Sequence, residues 1–505
     1  MRSGALLVAG TTSDAGKSLV TVGICRWLAR QGVRVAPFKA QNMSNNSMVC
    51  ADGGEIGRAQ WLQAVAAGAE PEVAMNPVLL KPGSDRRSHV VLMGQPHGQL
   101  EAGEFATGRR ELAATALAAF ADLRSRFDVV VAEGAGSPTE INLRGGDYVN
   151  MGLARAAGLP VLVVGDVDRG GVLAAMFGTL ALLDAGDQAH VAGWVVNKFR
   201  GDLDLLRPGL VTLEQLTGRP VLGVLPWLDG VWADSEDALA LGGWTTPPRT
   251  DGSVLRVAVV RFPRLSNATD LDALALEPGV SVTLTMDPEV VRHSDVVFLP
   301  GSRSTVADLQ WLRDTGIGAV LTERAVAGRP VLGICGGYQM LARTIHDEVE
   351  SGAGLVDGLD LLPVSADFDT VKHLGRPDGQ WRGHRVAAYE IHHGVVRALA
   401  DDERTAQTEP FLDGVHLGAV WGTTWHGAFE NDAFRQAWLA QAAASAGVDW
   451  RPSAHPGFRA AREQMIDSLA DAVEQHLDTD QLWRLIENGA PPGLPVVPPA
   501  GGCRG

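Results

Sequence analysis

Two short stretches of this 505-residue chain bring together residue types that can do chemistry. In the first, PVLGICGGYQM (Pro330 to Met340), an apolar run enters Gly333, Ile334, Cys335, Gly336 and Gly337 and continues as a helical pattern. Flanking glycines permit the strained turn of a nucleophile elbow, which lifts one side chain above a sheet. A helix N-terminus beside the thiol favours the thiolate, the nucleophilic form. The Gly336 N–H can point at a developing oxyanion. The turn LPGSRST (Leu299 to Thr305) can add a second donor at Gly301. A lone Cys is more often a buried structural residue, but the Gly-x-Cys-Gly-Gly setting favours a catalytic reading. A thiolate needs a proton partner. His426, in GTTWHGAFE, is the first candidate, and His392 and His393, in YEIHHG, compete for the role.

The second stretch, GTTSDAGKS (Gly10 to Ser18), follows an apolar strand-like run and opens a helical pattern. A loop in this setting presents backbone N–H groups and a helix N-terminus to phosphate oxygens. Gly10, Thr11, Thr12, Asp14, Ala15 and Gly16 would line an ATP site. Lys17 would reach the terminal phosphates, and the Ser18 hydroxyl would ligate Mg²⁺. Five residues separate Gly10 from Gly16, where the usual phosphate loop has four. Glu133, at the end of VVVAE, and Asp52, in ADGGEIGRAQ, are the candidate carboxylates for the metal. Lys39 could offset phosphate charge, and Asn197 and Lys198 could read the adenine edge.

Elements that could position these groups alternate along the chain. Apolar runs at Ala5 to Ala9, Val33 to Pro37, Asp128 to Ala132, Pro160 to Gly165, Ala192 to Val196 and Val221 to Leu225 predict buried parallel strands. Helical patterns lie between several of them, as in the stretch holding Leu19, Gly23, Ile24, Trp27 and Leu28. TTPPRTDGS (Thr245 to Ser253) has no periodicity and predicts a linker. A second strand series follows at Leu255 to Val260, Asp295 to Leu299, Pro330 to Ile334 and Val415 to Trp421. The expected class is α/β with two parallel-sheet domains: a phosphate-loop (P-loop) domain over residues 1–245, a linker over 246–254, and a second domain over 255–445 that carries the Cys335 elbow. A helical extension over 446–490, with a helix from Gly457 to Leu477, and a disordered tail over 491–505 complete the prediction.

Composition narrows the functional class. A net charge of -16 argues against nucleic acid as a partner, since phosphate-backbone binding needs a cationic face. The four cysteines, Cys25, Cys50, Cys335 and Cys503, lack the spacing of a zinc site or a disulfide framework. No apolar run approaches the roughly 20 residues that span a bilayer, and no signal-peptide pattern opens the chain. A cytoplasmic enzyme with no membrane partner is expected.

The second half resembles class I glutamine amidotransferases, through the elbow at Cys335 and the late His426, which implies a flavodoxin-like glutaminase fold over 255–445. Members usually carry a Glu two residues after that His. Here the position is Ala428, so a Cys–His dyad is expected, with Glu430 and Glu390 as candidate substitutes for the missing member. The first half resembles P-loop enzymes of the dethiobiotin synthetase type. That resemblance assigns phosphate and Mg²⁺ contacts to Lys17, Ser18, Lys39, Asp52 and Glu133. Taken whole, the chain is similar to the cobyric acid synthases. The matching motifs are APFKAQNMSNNS (from Ala36), DGGEIGRAQ (from Asp52), MNPVLLKP (from Met75), EGAGSPTEINL (from Glu133), DVDRGG (from Asp166), NKFRGD (from Asn197) and YEIHHG (from Tyr389). The resemblance implies ATP- and L-glutamine-dependent amidation of four carboxylates of adenosylcobyrinic acid a,c-diamide. The polar segment Gln41 to Ser47 and the loop Ser137 to Gly146 are candidate substrate contacts. Two rivals remain at this stage: the synthase that makes the a,c-diamide, and a regulatory P-loop ATPase with an inert glutaminase-like domain.

Overall fold

The computed structural model describes residues 3–82, 87–101, 109–232 and 254–499, and divides the chain into two compact units. The first comprises Met1–Ser44, Cys50–Asp234 and Arg462–Gly505; the second comprises Asn45–Val49 and Ser235–Ala461. The expected linker at 246–254 lies, but for its last residue, outside the described residues.

The first unit is built on a six-stranded sheet. Its order is Val221–Pro226, Val191–Phe199, Val161–Asp166, Gly4–Gly10, Val129–Glu133, Val35–Phe38, and every neighbouring pair is parallel. The strands read as unbroken apolar runs because both faces are covered. Leu7 and Ala9 enter one core cluster, while Leu6 and Val8 of the same strand enter the other. In a parallel sheet the loops after the strands open on one edge, where ligands bind in α/β folds. Gly10–Ser18, Glu133–Ser137 and Asp166–Gly171 all lie there. A four-stranded accessory sheet orders Gln41–Met43, Val78–Pro82, Arg87–Leu92 and Gln95–Glu101.

The second unit has a seven-stranded sheet in the order Val280–Thr285, Leu255–Val260, Val296–Leu299, Val331–Ile334, Val420–Thr423, Gly414–Leu417, Glu409–Phe411. The first five are parallel and the last two antiparallel. One strand was expected over Val415 to Trp421. A hairpin stands there instead, because Gly418 takes a φ of 60° and turns the chain.

The expected extension over 446–490 divides between the two units: its residues up to Ala461 fall in the second and those from Arg462 in the first. Helix Asp432–Ala446 packs within the second unit through Trp438, which meets Phe298, Trp421 and Phe429 edge-on. Helices Phe458–His476 and Thr479–Asn488 lie mainly in the first unit, where Ile466, Leu469, Val473 and Ile486 join a core cluster. Residues 491–499 are placed rather than disordered. The Val497 N–H donates to Gln188 Oε1 at 2.8 Å, and the buried Arg219 guanidinium donates to the Pro495 carbonyl. This polar anchoring of backbone is invisible to a compositional reading of a Pro- and Gly-rich tail. Residues 500–505, with Cys503, lie outside the described residues. Among the described residues no helix is long and apolar enough to cross a membrane.

The returning helix comes very close to helix Lys17–Arg30. A Cβ on Gly23 would lie 2.7 Å from the Leu469 carbonyl oxygen, whereas one on Gly178, inside helix Val172–Leu182, would meet nothing within 4 Å. The same substitution should therefore have opposite signs at the two sites. Gly23→Ala should destabilise the first unit by about 1–3 kcal/mol through overpacking. Gly178→Ala should stabilise it by roughly 0.5–1 kcal/mol through helix propensity. Urea unfolding of the two variants checks this, and a stabilising Gly23→Ala would refute the close approach.

Candidate active sites

In the first unit the loop Gly10–Ser18 joins a central strand to helix Lys17–Arg30, and Gly16 makes the turn at a φ of 93°. Side chains brace its backbone. Asn197 Nδ2 donates to the Ala15 carbonyl at 3.0 Å, Lys198 Nζ donates to the Asp14 carbonyl at 2.8 Å, and the Thr11 N–H donates to the Val164 carbonyl at 2.9 Å. The buried Lys17 ammonium donates to the carbonyls of Thr12, Ser13 and Gly136, at 2.9, 3.0 and 3.0 Å. It is thus held over the hollow of the loop. A Cβ on Gly10 would strike the Lys17 stem at 2.9 Å, which accounts for glycine there.

Glu133 is the centre of this site. It is buried at the end of its strand, and Oε1 accepts from Ser18 Oγ at 2.8 Å and from Lys39 Nζ at 2.9 Å. Oε2 accepts from Gln63 Nε2 at 2.5 Å. Burial pushes the carboxyl up, but Lys39, Lys17 and the hydrogen bonds outweigh it, and the acid is held below the usual carboxylate range. Glu133 is therefore an anion beside a hydroxyl. A hydroxyl, one carboxylate and phosphate oxygens are a donor set that suits Mg²⁺, which keeps several waters and takes few protein ligands.

Asp52 is not brought to this site by the contacts it makes. Its exposed carboxylate accepts from the Gly54 N–H at 3.3 Å and the Val73 N–H at 3.0 Å, so it ties a loop together. A short polar side chain followed by Gly-Gly also reads as a turn anchor, and these two hydrogen bonds are of that kind. The sequence reading missed Asp166 as a site residue. It ends the strand Val161–Asp166, is buried, and accepts from Lys198 Nζ at 2.7 Å. Its signal was the one that marked Glu133, a carboxylate at the carboxyl end of a parallel strand. The neighbouring Arg169 pairs with Asp14 at 2.8 Å. Asn197 spends its N–H on the phosphate loop, yet with Lys198 it also borders an open, mainly apolar cleft lined by Leu19, Val20, Trp227 and Val473. Cys25 lies behind this site, and burial pushes its thiol far up, so it is inert.

In the second unit Cys335 sits between strand Val331–Ile334 and helix Gly336–Met340, at φ 52° and ψ −111°. This is the strained elbow that the glycines predicted. A Cβ on Gly333 would meet Gly337 and Tyr338 backbone at 2.7 Å, one on Gly336 would meet Ser302 N at 2.8 Å, and one on Gly337 would meet the Leu299 carbonyl oxygen at 2.0 Å. Gly301 lies close to His426, whose Cε1 would be 3.1 Å from a Cβ there. The candidate oxyanion glycines and the elbow therefore share one small space. The Cys335 Sγ is 3.9 Å from the Ile391 carbonyl oxygen.

His426 is buried beside it, and its ring stacks on Tyr389 with centroids 5.4 Å apart. Nε2 has no partner within ordinary hydrogen-bond geometry, while the Cys335 side chain is near enough to stabilise the imidazolium. His392 and His393 contact other groups. His392 stacks on His373 and faces Glu390, and His393 Nδ1 meets the Asp369 carbonyl at 3.0 Å.

The expected dyad is a triad. Asp270, buried in a 3-10 turn far upstream, places Oδ2 at 2.7 Å from His426 Nδ1 and accepts the Gly427 N–H on Oδ1 at 2.7 Å. Glu430 lies in a turn with its N–H on the Gly427 carbonyl, and Glu390 serves His392, so neither candidate substitute fills the place. Asp270 carries no local motif, and only the folded chain brings it to His426. Burial alone would depress the imidazole pKa. Asp270, and then Cys335, outweigh it and push the group up to about 10.

A nucleophile elbow with a Cys–His–Asp set in one unit, and a phosphate loop ahead of a buried carboxylate in the other, define a glutamine amidotransferase joined to a P-loop nucleotide-binding domain. Two family matches coincide with this division. Residues 6–240 match the CobQ/CobB/MinD/ParA nucleotide binding domain, and residues 256–434 match the CobB/CobQ-like glutamine amidotransferase domain. Over nearly its whole length the chain is similar to proteins named cobyric acid synthase. That of Cutibacterium acnes is 61% identical over 95% of this chain and 99% of its own length, that of Frankia casuarinae 57% over 98% and 99%, and that of Mycolicibacterium vanbaalenii 58% over 98% and 99%. The chain belongs to the cobyric acid synthase family, whose members are glutamine-dependent, ATP-using amide ligases.

The raised pKa of His426 gives a pH test. The His426 imidazolium persists until pH rises through its folded pKa, so glutaminase kcat/KM should fall on the alkaline side near pH 10. Removing the Asp270 charge removes a cause of the elevation, so the limb must move to lower pH. For Asp270→Asn we expect that shift together with a loss in kcat on the order of 10²-fold or more, the scale of acid–base catalysis. Glutamate release followed from pH 6 to 11 checks both, and an unmoved alkaline limb would remove Asp270 from the triad.

Proposed function

We propose that this chain amidates the b, d, e and g carboxylates of adenosylcobyrinic acid a,c-diamide with ammonia drawn from L-glutamine, using ATP to activate each acid. The observation that carries the reading is the pairing of two complete sites in one chain. One is built to hold phosphate beside a buried carboxylate, and the other to attack an amide. Near-full-length similarity to proteins named cobyric acid synthase supports the choice of substrate. A cytoplasmic location is part of the proposal, since ATP and glutamine are supplied there.

A carboxylate is a poor electrophile, and ATP converts it to an acyl phosphate. Lys17 moves from backbone carbonyls to the terminal phosphates, replacing neutral acceptors with charged ones. The braced backbone of Gly10, Thr11, Thr12, Asp14, Ala15 and Gly16 points N–H groups at phosphate oxygens without reorganising during the transfer. Lys39 neutralises charge next to Glu133. Ser18 and Glu133 would hold Mg²⁺, which supplies further charge neutralisation at the phosphates. The apolar cleft beside Asn197 and Lys198 receives the adenine. The exposed Met43, Ile141 and Leu143 lie on the two candidate substrate-contact segments and offer apolar surface to a macrocycle.

In the second site the Cys335 thiolate attacks the glutamine amide carbon, and the oxyanion is met by N–H groups at Gly301 and Gly336. His426 gives its proton to the departing ammonia. It then takes one from water, which releases glutamate from the thioester. Asp270 keeps Nδ1 protonated and Nε2 aimed at the sulfur throughout.

The roles separate by nitrogen source. Cys335→Ala should lose glutamine-dependent synthesis by at least about 10³-fold while keeping synthesis from high ammonium. Lys17→Ala should lose synthesis from both sources. Mass spectrometry of the corrinoid checks the substrate. Four successive steps of one amidation each are expected from the a,c-diamide, and amidation of cobyrinic acid alone would transfer the assignment to the earlier synthase.

A further inference from the structure

The stretch Asn45–Val49 belongs to the second unit, although its chain neighbours Ser44 and Cys50 belong to the first. It lies a few residues beyond Lys39, which pairs with Glu133 at the phosphate site. Two of its contacts within the second unit are with supports of the glutaminase triad.

The first is a reciprocal pair of hydrogen bonds. Asn46 Oδ1 accepts the Ala268 N–H at 3.1 Å, and Asn267 Oδ1 accepts the Ser47 N–H at 3.0 Å. Both Asn residues are buried, at 5% and 4% exposure, so these bonds are shielded from exchange with water. Asn267 takes the left-handed conformation, φ 50° and ψ 46°, which Asn tolerates better than most residues. It is the residue before the turn Ala268–Leu271, and its carbonyl accepts the Asp270 N–H at 3.2 Å. The pair thus fastens the first corner of the turn that presents Asp270 to His426.

The second contact is apolar. Val49 packs with Tyr389 and Ile391. Tyr389 stacks on the His426 ring and exchanges two backbone hydrogen bonds with it, at 3.0 and 2.8 Å. The Ile391 carbonyl oxygen faces the Cys335 sulfur. Asn46, Ser47 and Val49 therefore touch the holders of Asp270, His426 and Cys335 alike. This is more than a chain needs merely to pass by.

We propose that Asn45–Val49 is a positioning element of the glutaminase, through which the nucleotide-binding half sets the alignment of Asp270, His426 and Cys335. Its ends are covalently part of the other unit, so a shift at Lys39 or along Gln41–Ser44 on ligand binding reaches Asn46 through a short length of backbone. The glutamine site is then competent when the acceptor half is loaded. The inference rests on the amidotransferase reading above.

The test uses the full chain and two substitutions outside the triad. Asn267→Gly keeps the left-handed backbone and removes the side-chain acceptor, and Asn46→Ala removes the reciprocal one. Glutamate release is measured across pH, with and without ATP plus the a,c-diamide corrinoid. Both variants should lose about tenfold in glutaminase kcat with little change in KM, the pattern of lost transition-state alignment. Their alkaline limbs should move to lower pH, as the Asp270 contact loosens, and the stimulation by ATP and corrinoid should fall toward one. Asn267→Gly should keep wild-type synthesis from ammonium. Wild-type pH limbs and stimulation in both variants would overturn the proposal, as would loss of ammonium-dependent synthesis in Asn267→Gly. Failure of the wild-type chain itself to use ammonium would instead refute the functional reading on which the proposal stands.

Discussion

Everything at both sites depends on one constraint: a parallel sheet buried on both faces can offer its reactive groups only beyond the ends of its strands. Side chains inside the strands are committed to the two core clusters, as Leu6 and Leu7 are on opposite faces. What remains free is the residue where each strand stops. In the first unit those positions are Gly10, Glu133, Asp166 and the Asn197–Lys198 pair. In the second they are Pro300–Ser302, Cys335 and the Thr423–His426 turn. Because neighbouring strands run the same way, these groups collect at one edge by strand order, whereas Asp270 is brought in from a separate turn.

Charges at such an edge must be paired, because the sheet ends exclude water. Glu133 stays ionised through Lys39, Lys17, Ser18 and Gln63, and burial alone would have neutralised it. His426 stays cationic through Asp270 and Cys335 against the same opposing force. Each catalytic charge is thus maintained by a specific neighbour. A buried ion pair of this kind is a weak source of stability, but it fixes which atom points where. That orientation is what acid–base and phosphoryl chemistry need.

The sequence made legible whatever depends on contiguous residues. Gly-x-Cys-Gly-Gly foretold the elbow because its close contacts, Gly333 on Gly337 and Gly337 on Leu299, admit no side chain. GTTSDAGKS foretold the phosphate loop because strand, turn and helix are consecutive. What failed was long-range. Asp270 lies 156 residues from His426, in a short turn without periodicity, so the chain read as a dyad. Asp52 looked like a metal ligand because an acidic residue beside glycines has the same local pattern whether it meets an ion or its own backbone. The Pro-rich tail read as disordered because hydrogen bonds to Gln188 and Arg219 leave no trace in composition.

The position of Asp270 bears on how such a site can be regulated. A third member two residues after the histidine would sit on the same loop, and its geometry would be fixed locally. Here Ala428 is buried at that place and offers no charge. The orienting carboxylate comes from a separate 3-10 turn, so its distance to Nδ1 is a tertiary quantity rather than a covalent one. A tertiary distance can be changed by whatever holds the turn, and the turn is held in part by Asn46 and Ser47. Moving the carboxylate off the histidine loop leaves the chemistry of the triad unchanged. It makes the alignment of that triad responsive to a segment contributed by the nucleotide-binding half of the chain.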